Sequence, residues 1–272
     1  MYDQVMNCAD IIKSKLADEP PKIALVLGSG LNQVAEELED AVKISYGDLP
    51  GFPKPTVAGH AGALHIGQLG GVPIICLQGR AHAYEGHAEQ TLAFATRTMW
   101  ALGVETFILT NAAGSLDFKA GPGSLMCITD HINMMGVNPL VGLNDERFGP
   151  RFPDMGNAWN SDLREKMHDC AAREGIALHN GVYIGVKGPN FETPAEIKGF
   201  RTMGAGCVGM STIPEVLAAR HCGMKVVGIS GITNYGAGME DTVLTHDETM
   251  SEGAKAGEKM IRLLKVFVSE IG

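Results

Sequence analysis

Six short runs rich in Val, Ile and Leu, each closing on glycine or a small polar residue, recur along the 272-residue chain: KIALVLGSG, VPIICLQGR, TFILTNAAGS, VYIGVKGPN, CVGMST and KVVGISGITN. Apolar runs this short and this continuous suit strands buried on both faces. Helical patterns lie between them. TLAFATRTMWALG sets Leu92, Ala95, Met99 and Leu102 on one face, and STIPEVLAARHCG has Pro214 where a first helical turn accepts proline. AGEKMIRLLKVFVSEI carries Met260, Leu264 and Phe267 as an apolar stripe. Such alternation predicts an α/β fold with a parallel or mixed sheet, in which ligands gather at the carboxyl ends of the strands. A hydrophobic content of 45% over this length suffices for one large domain. No internal repeat or low-complexity linker divides it, and Gly136 to Asn160, rich in Gly, Pro and Asn, reads as a loop or lid.

The formal net charge of −9 argues against a general nucleic-acid binder, because polyanion affinity depends on clustered Lys and Arg. A small anion in a local basic pocket is still compatible with it. MYDQVMNCAD has no basic segment followed by an apolar one, and no apolar stretch approaches the ~18 residues that span a bilayer. The expectation is a soluble, cytoplasmic protein. Its six cysteines, Cys8, Cys76, Cys127, Cys170, Cys207 and Cys222, form no C-x-x-C pair and are expected as reduced thiols, mostly in the core.

Polar residues cluster where the apolar runs end. In LGSGLNQ, Gly28 and Gly30 let backbone N–H groups face an anion, with Ser29 as a hydroxyl donor. The dinucleotide pattern fails at Gln33 and no P-loop is present, so taken singly an unliganded turn is the stronger reading. In LQGRAHAYEGH an extended chain puts Arg80, His82 and Tyr84 on one side, where guanidinium and imidazole donate to a phosphate or carboxylate. A polar surface turn is the alternative; zinc is a poor one, since the histidines have no cysteine or H-E-x-x-H partners. TNAAGSL offers small residues for close approach to backbone N–H groups, or for close helix packing. Ser211 and Thr212 are ordinary N-cap hydroxyls that also suit a phosphate at a helix N-terminus. Phe191 beside Glu192 is a surface coincidence or else the stacking face and acceptor that a planar heterocycle with an N–H edge requires. Asn234 can donate and accept together, and His246, at the expected start of the last helix, would by itself be a capping or solvated residue.

Together these residues resemble a family, the trimeric purine nucleoside phosphorylases. LGSGL, GHAG (Gly59 to Gly62), QGRAHAYEG, TNAAGS, DHIN, NDERFGPRFPDM, GPNFET, VGMSTIPEV and ITN match it in order, from about residue 22 to the final helix. The resemblance implies a single domain over residues 1–272, with a mixed, partly barrel-like central sheet surrounded by helices, the nucleoside phosphorylase fold, assembled as a homotrimer. It implies a phosphate site of Ser29, His60, Arg80, His82, the backbone N–H of Ala112, and Ser211. It places Tyr84 and Met210 at the ribose, His246 at the 5′-hydroxyl, Phe191 on the base face, and Glu192 and Asn234 on the base edge. Phe152 would cover the ribose in the neighbouring subunit's site. Asn234, Glu192, His82 and Glu85 form the expected catalytic group, with Glu85 orienting His82.

The reaction so implied is reversible phosphorolysis of inosine, guanosine and their deoxy forms to free purine and (deoxy)ribose 1-phosphate, in purine salvage. Inorganic phosphate is the co-substrate, with no metal or organic cofactor and no nucleic-acid or membrane partner. Rival readings are a same-family phosphorylase preferring xanthosine or methylthioadenosine, a nucleoside-binding module without catalysis, and a nucleosidase using water. Ser29 and Asn234 speak against methylthioadenosine, and the Arg80 and Ser29 phosphate set against the nucleosidase.

Overall fold

The computed structural model describes residues 1–56, 61–240 and 246–272, the last segment as backbone alone at 246–252 and 254. The chain opens with α1 (Tyr2–Lys13), whose Val5, Cys8, Ala9 and Ile12 form a buried stripe at helical spacing. β1 (Ile23–Leu27) follows, buried at every residue. A short α2 (Gln33–Glu36) leads to β2 (Glu39–Ser45), β3 (Ala63–Leu69) and β4 (Val72–Gln78), paired antiparallel in sequence. Then come α3 (Phe94–Ala101), β5 (Thr106–Ser115), β6 (Leu125–Met134), α4 (Ser161–Arg173) and β7 (Leu178–Val186). The chain closes through α5 (Pro194–Thr202), β8 (Cys207–Gly209), α6 (Ile213–His221), β9 (Lys225–Tyr235) and α7 (His246–Ile271).

All nine strands of the described residues join one sheet in the order β2-β3-β4-β1-β5-β8-β7-β6-β9, and β9 pairs back onto β5 from Thr106↔Lys225 to Ser115↔Tyr235. Five strands therefore close into a mixed barrel, while β1 to β4 extend from β5 as an open wing. The expected α/β, partly barrel-like architecture is the one observed. One apolar layer places α1, α3 and α6 against the sheet, and another places α4 and α7, with Met260, Leu264 and Phe267 fully buried. The six cysteines are unpaired and buried.

The six expected strands are present, and β2, β3 and β6 are additional. Their sequences explain why they escaped notice: β2 is exposed at all but one residue, β3 is only partly buried, and β6 is buried in its first four residues alone. TLAFATRTMWALG is helical only from Phe94, with a 3-10 turn at Glu89–Ala93. Gly136 to Asn160 contains neither α-helix nor strand, as expected of a loop.

Candidate active site

Where the wing meets the barrel, the ends of β1, β4, β5, β7, β8 and β9 surround a cavity of about 210 Å³. Ten of the residues expected to contact phosphate or nucleoside line it, Ser29, Arg80, His82, Tyr84, Ala112, Phe191, Glu192, Met210, Ser211 and Asn234, together with Gly28 and Gly30. The first turn is held against β5 by its backbone. Gly28 N–H donates to Thr110 Oγ1 at 3.2 Å, and the Thr110 hydroxyl donates onward to Val26 O at 2.8 Å. A Cβ at Gly28 would stand 2.6 Å from Asn111 Cα, so only glycine allows this approach. Gly30, at φ +79°, completes the turn in the left-handed region.

Arg80 is 6% exposed and enclosed by acceptors. Its Nη2 donates to Thr110 O at 2.7 Å, and its Nη1 to Ser211 Oγ and Thr212 Oγ1, both at 3.1 Å. Its Nε stands 2.8 Å from Glu215 Oε1, an ion pair off the line of a hydrogen bond. Thr212 occupies the N-cap position of α6 yet makes no capping bond. Its hydroxyl instead accepts from Arg80 and, at 3.0 Å, from Asn111 Nδ2. The same residue has φ +70°, strained for a β-branched side chain. Tyr183 Oη accepts from Ser211 N–H at 3.2 Å and so fixes the turn that carries both hydroxyls.

His82 is fixed by Glu85, whose Oε1 accepts from the His82 backbone N–H at 2.7 Å and lies 2.9 Å from Nδ1. The other oxygen of Glu85 accepts from the backbone N–H and hydroxyl of Thr56. Burial lowers the His82 pKa to about 4, outweighing the opposing hydrogen bond to Glu85, so the ring is neutral near pH 7. Burial pushes the Glu85 carboxyl up, but hydrogen bonds from Thr56 and His82 prevail and bring it to about 2. The chain is extended only as far as His82 (φ −112°, ψ 153°) and then turns as a 3-10 segment, Ala83–Glu85. Tyr84 thus reaches the cavity by stacking on His82, ring centroids 4.8 Å apart, and not by the strand alternation expected.

At the other end of the cavity Phe191 is 47% exposed. Burial raises the pKa of the neighbouring Glu192 carboxyl. Both are placed by the start of α5, where Thr193 and Glu196 exchange backbone-to-side-chain bonds of 3.2 and 2.7 Å as a capping box. Asn234 Oδ1 accepts from the Thr233 hydroxyl at 2.8 Å, and Nδ2 donates to Tyr235 O at 2.9 Å. Gly114 makes room for that amide, since a Cβ there would lie 3.1 Å from Nδ2.

Phe152 does not join this group: its ring is 88% exposed and away from the cavity lining of its own chain. His60 and the side chain of His246 lie outside the described residues. Sequence reading missed Thr110, Asn111 and Glu215. Glu215 did leave a signal, being the one carboxylate in the otherwise apolar run IPEVLAA, where burial requires a cation. Among the described residues no cluster of three or more His, Cys, Asp or Glu side chains could hold a metal ion.

The cavity therefore offers cationic and hydroxyl donors at one end and an aromatic face with an acceptor and an amide at the other. Comparison with known proteins agrees with this chemistry. The model of the phosphorylase superfamily matches residues 22–269. Purine nucleoside phosphorylase 1 of Bacillus subtilis is 49% identical over 270 residues, covering 99% of each chain. The Bos taurus purine nucleoside phosphorylase is 41% identical, covering 99% of this chain and 96% of its own. The Schistosoma mansoni purine nucleoside phosphorylase in complex with adenosine superposes with a TM-score of 0.93 at 37% identity, over 99% of this chain and 98% of that one. A schistosoma purine nucleoside phosphorylase in complex with hypoxanthine gives the same values. The chain belongs to the phosphorylase superfamily and, within it, to the purine nucleoside phosphorylases.

Proposed function

We propose that this enzyme cleaves purine nucleosides with inorganic phosphate, and that inosine, guanosine and their 2′-deoxy forms are its preferred substrates. A phosphate oxygen attacks C1′, the C1′–N9 bond breaks, its electron pair leaves with the purine, and (deoxy)ribose 1-phosphate is the second product. The observation that carries this is the single cavity with Arg80, Ser29 and Ser211 at one end and Phe191, Glu192 and Asn234 at the other.

Positive charge develops on the ribose and negative charge on the departing base. Phosphate held by Ser29, Arg80, His82, the Ala112 N–H and Ser211 faces the ribosyl cation, and the Asn234 amide stabilises the leaving purine edge. Holding both reactants in one cavity removes the entropic cost of their encounter, worth up to ~7 to 11 kcal/mol in model systems. Glu192 accepts N1–H of a 6-oxopurine, while adenine offers no N1–H. Tyr84 and Met210 contact the ribose, with His60 beside the phosphate and His246 at the 5′-hydroxyl. Phosphate is the nucleophile, so the reaction calls for no metal or organic cofactor.

The exposed Phe152 ring suits the assembly read from the sequence, a homotrimer in which it covers a neighbour's ribose site. Among the described residues no helix is long and apolar enough to cross a membrane, and the unpaired cysteines suit a cytoplasmic role in purine salvage. The test is base release from inosine, guanosine, xanthosine, adenosine and methylthioadenosine, each with and without phosphate. Phosphate-dependent release, fastest with inosine and guanosine, is expected. Release that ignores phosphate, or binding without release, would sink the proposal.

A further inference from the structure

An arginine at 6% exposure is stable only if its charge is paired and its donors are satisfied, so what holds Arg80 decides how it meets phosphate. Three contacts are to neutral oxygens, on Thr110, Ser211 and Thr212. The fourth is to the Glu215 carboxylate, 2.8 Å from Nε. Glu215 does not line the substrate cavity. It lines a small apolar pocket on the far side of Arg80, among Tyr46, Phe52 and Pro214, and is itself 8% exposed. The other buried residues around it in the first turns of α6 are apolar; backbone N–H groups of Thr212 and Glu215 at the helix start donate to the carboxylate, and Arg80 is the cation it faces. The strained Thr212 points the same way, since its hydroxyl is turned from capping α6 toward Arg80 and Asn111.

We propose that Glu215 is the positioning and charge-setting residue of the phosphate site, acting from behind Arg80. Together with Thr212 it fixes the guanidinium plane, leaving to the cavity the N–H groups not engaged by these oxygens. Its negative charge offsets that of Arg80, so phosphate is held by directed hydrogen bonds more than by net positive charge. Phosphate held in this way keeps its own charge available to the ribosyl cation. An uncompensated guanidinium would stabilise bound phosphate more than the transition state, which tightens binding and slows turnover. This inference rests on the phosphorolysis reading given above.

The test compares wild type with Glu215→Gln, which keeps the shape and removes the charge. With inosine as substrate, the phosphate KM should fall at least about threefold and kcat at least about tenfold, with the inosine KM within about twofold of wild type. A fall in kcat with an unchanged phosphate KM is what fewer correctly folded molecules would give, and it overturns the proposal. Calorimetric titration with inorganic phosphate alone separates this inference from the reading beneath it. Tighter phosphate binding by Glu215→Gln supports the charge-setting role even if wild type cleaves no nucleoside, and equal binding rejects it. If Glu215→Gln does not fold, Glu215→Asp withdraws the charge by one methylene and should shift phosphate affinity in the same direction by less. A folded Asp variant with wild-type phosphate affinity would also reject it.

Discussion

Glu85 Oε1 lies 2.9 Å from Nδ1 of His82 and accepts from the backbone N–H of the same histidine at 2.7 Å. The carboxylate thereby favours the tautomer with its proton on Nδ1, which makes Nε2 the accepting nitrogen of the neutral ring. In the proposed phosphate site, neutral His82 would meet the protonated oxygen of monohydrogen phosphate as an acceptor, and would donate from Nε2 only when protonated.

The same pair makes the fold sensitive to acid. His82 has a folded pKa of about 4 against an ordinary value of 6.5, so in that window the unfolded chain binds a proton that the native chain does not. Stability falls as pH drops from 6.5 to 4, by at most about 3 kcal/mol from this group. Glu85, depressed to about 2, contributes stability above the ordinary carboxylate range that is lost as pH falls toward 2. Calorimetric Tm values should therefore decline on acidification, and His82→Asn should flatten the portion between pH 6.5 and 4. An identical slope in the variant would contradict the assignment.

Asn234→Asp should move specificity toward adenosine, because a carboxylate accepts from the adenine amino group where the amide cannot do so without giving up its donor. A rise of about tenfold in the adenosine-to-inosine ratio of kcat/KM is expected, equivalent to ~1.4 kcal/mol. No rise in that ratio would count against Asn234 as a base-edge residue.

Gly28→Ala should damage fold and site together. Its Cβ would press on backbone, Asn111 Cα at 2.6 Å and Thr110 O at 3.0 Å, which cannot swing aside as a side chain can. A cost of about 1–3 kcal/mol corresponds to a Tm lower by several degrees in a chain of this size. The phosphate KM should rise as Ser29 is displaced. A variant with wild-type Tm and phosphate KM would show that β1 and β5 are not held this closely.

Phe152→Ala should raise the nucleoside KM and leave the phosphate KM nearly unchanged, because an exposed ring has no such effect unless a second subunit presents a site to it. Analytical ultracentrifugation gives the independent check. A monomer with full activity would remove Phe152 from the site.

The wing and barrel strands with continuous apolar runs were legible in the sequence, because burial on both faces leaves a signal in residue type. β2 was not, since a strand exposed at all but one residue reads as polar chain. The same contrast holds in the site. Ser29, Arg80 and Asn234 lie at the ends of legible strands, so spacing brought them forward. Glu215 acts across 135 residues on Arg80, and nothing short-range marks its partner. The one-sided placement of Arg80, His82 and Tyr84 holds only for an extended chain, and a 3-10 segment begins after His82.

β5 is the strand shared by the closed ring and the open wing. Ser29, Arg80 and His82 arrive from the wing and its connection, whereas Ala112 and Ser211 arrive from the ring. No half of the chain, folded alone, could present the complete anion site. Phosphate bound there as proposed would recognise only the fully docked state, and its binding would be linked to cooperative folding, adding about 2.7 kcal/mol of stability at a hundredfold excess over its Kd. Partial unfolding at the seam would release the ligand before either half lost its secondary structure, so occupancy reports on docking of the two halves.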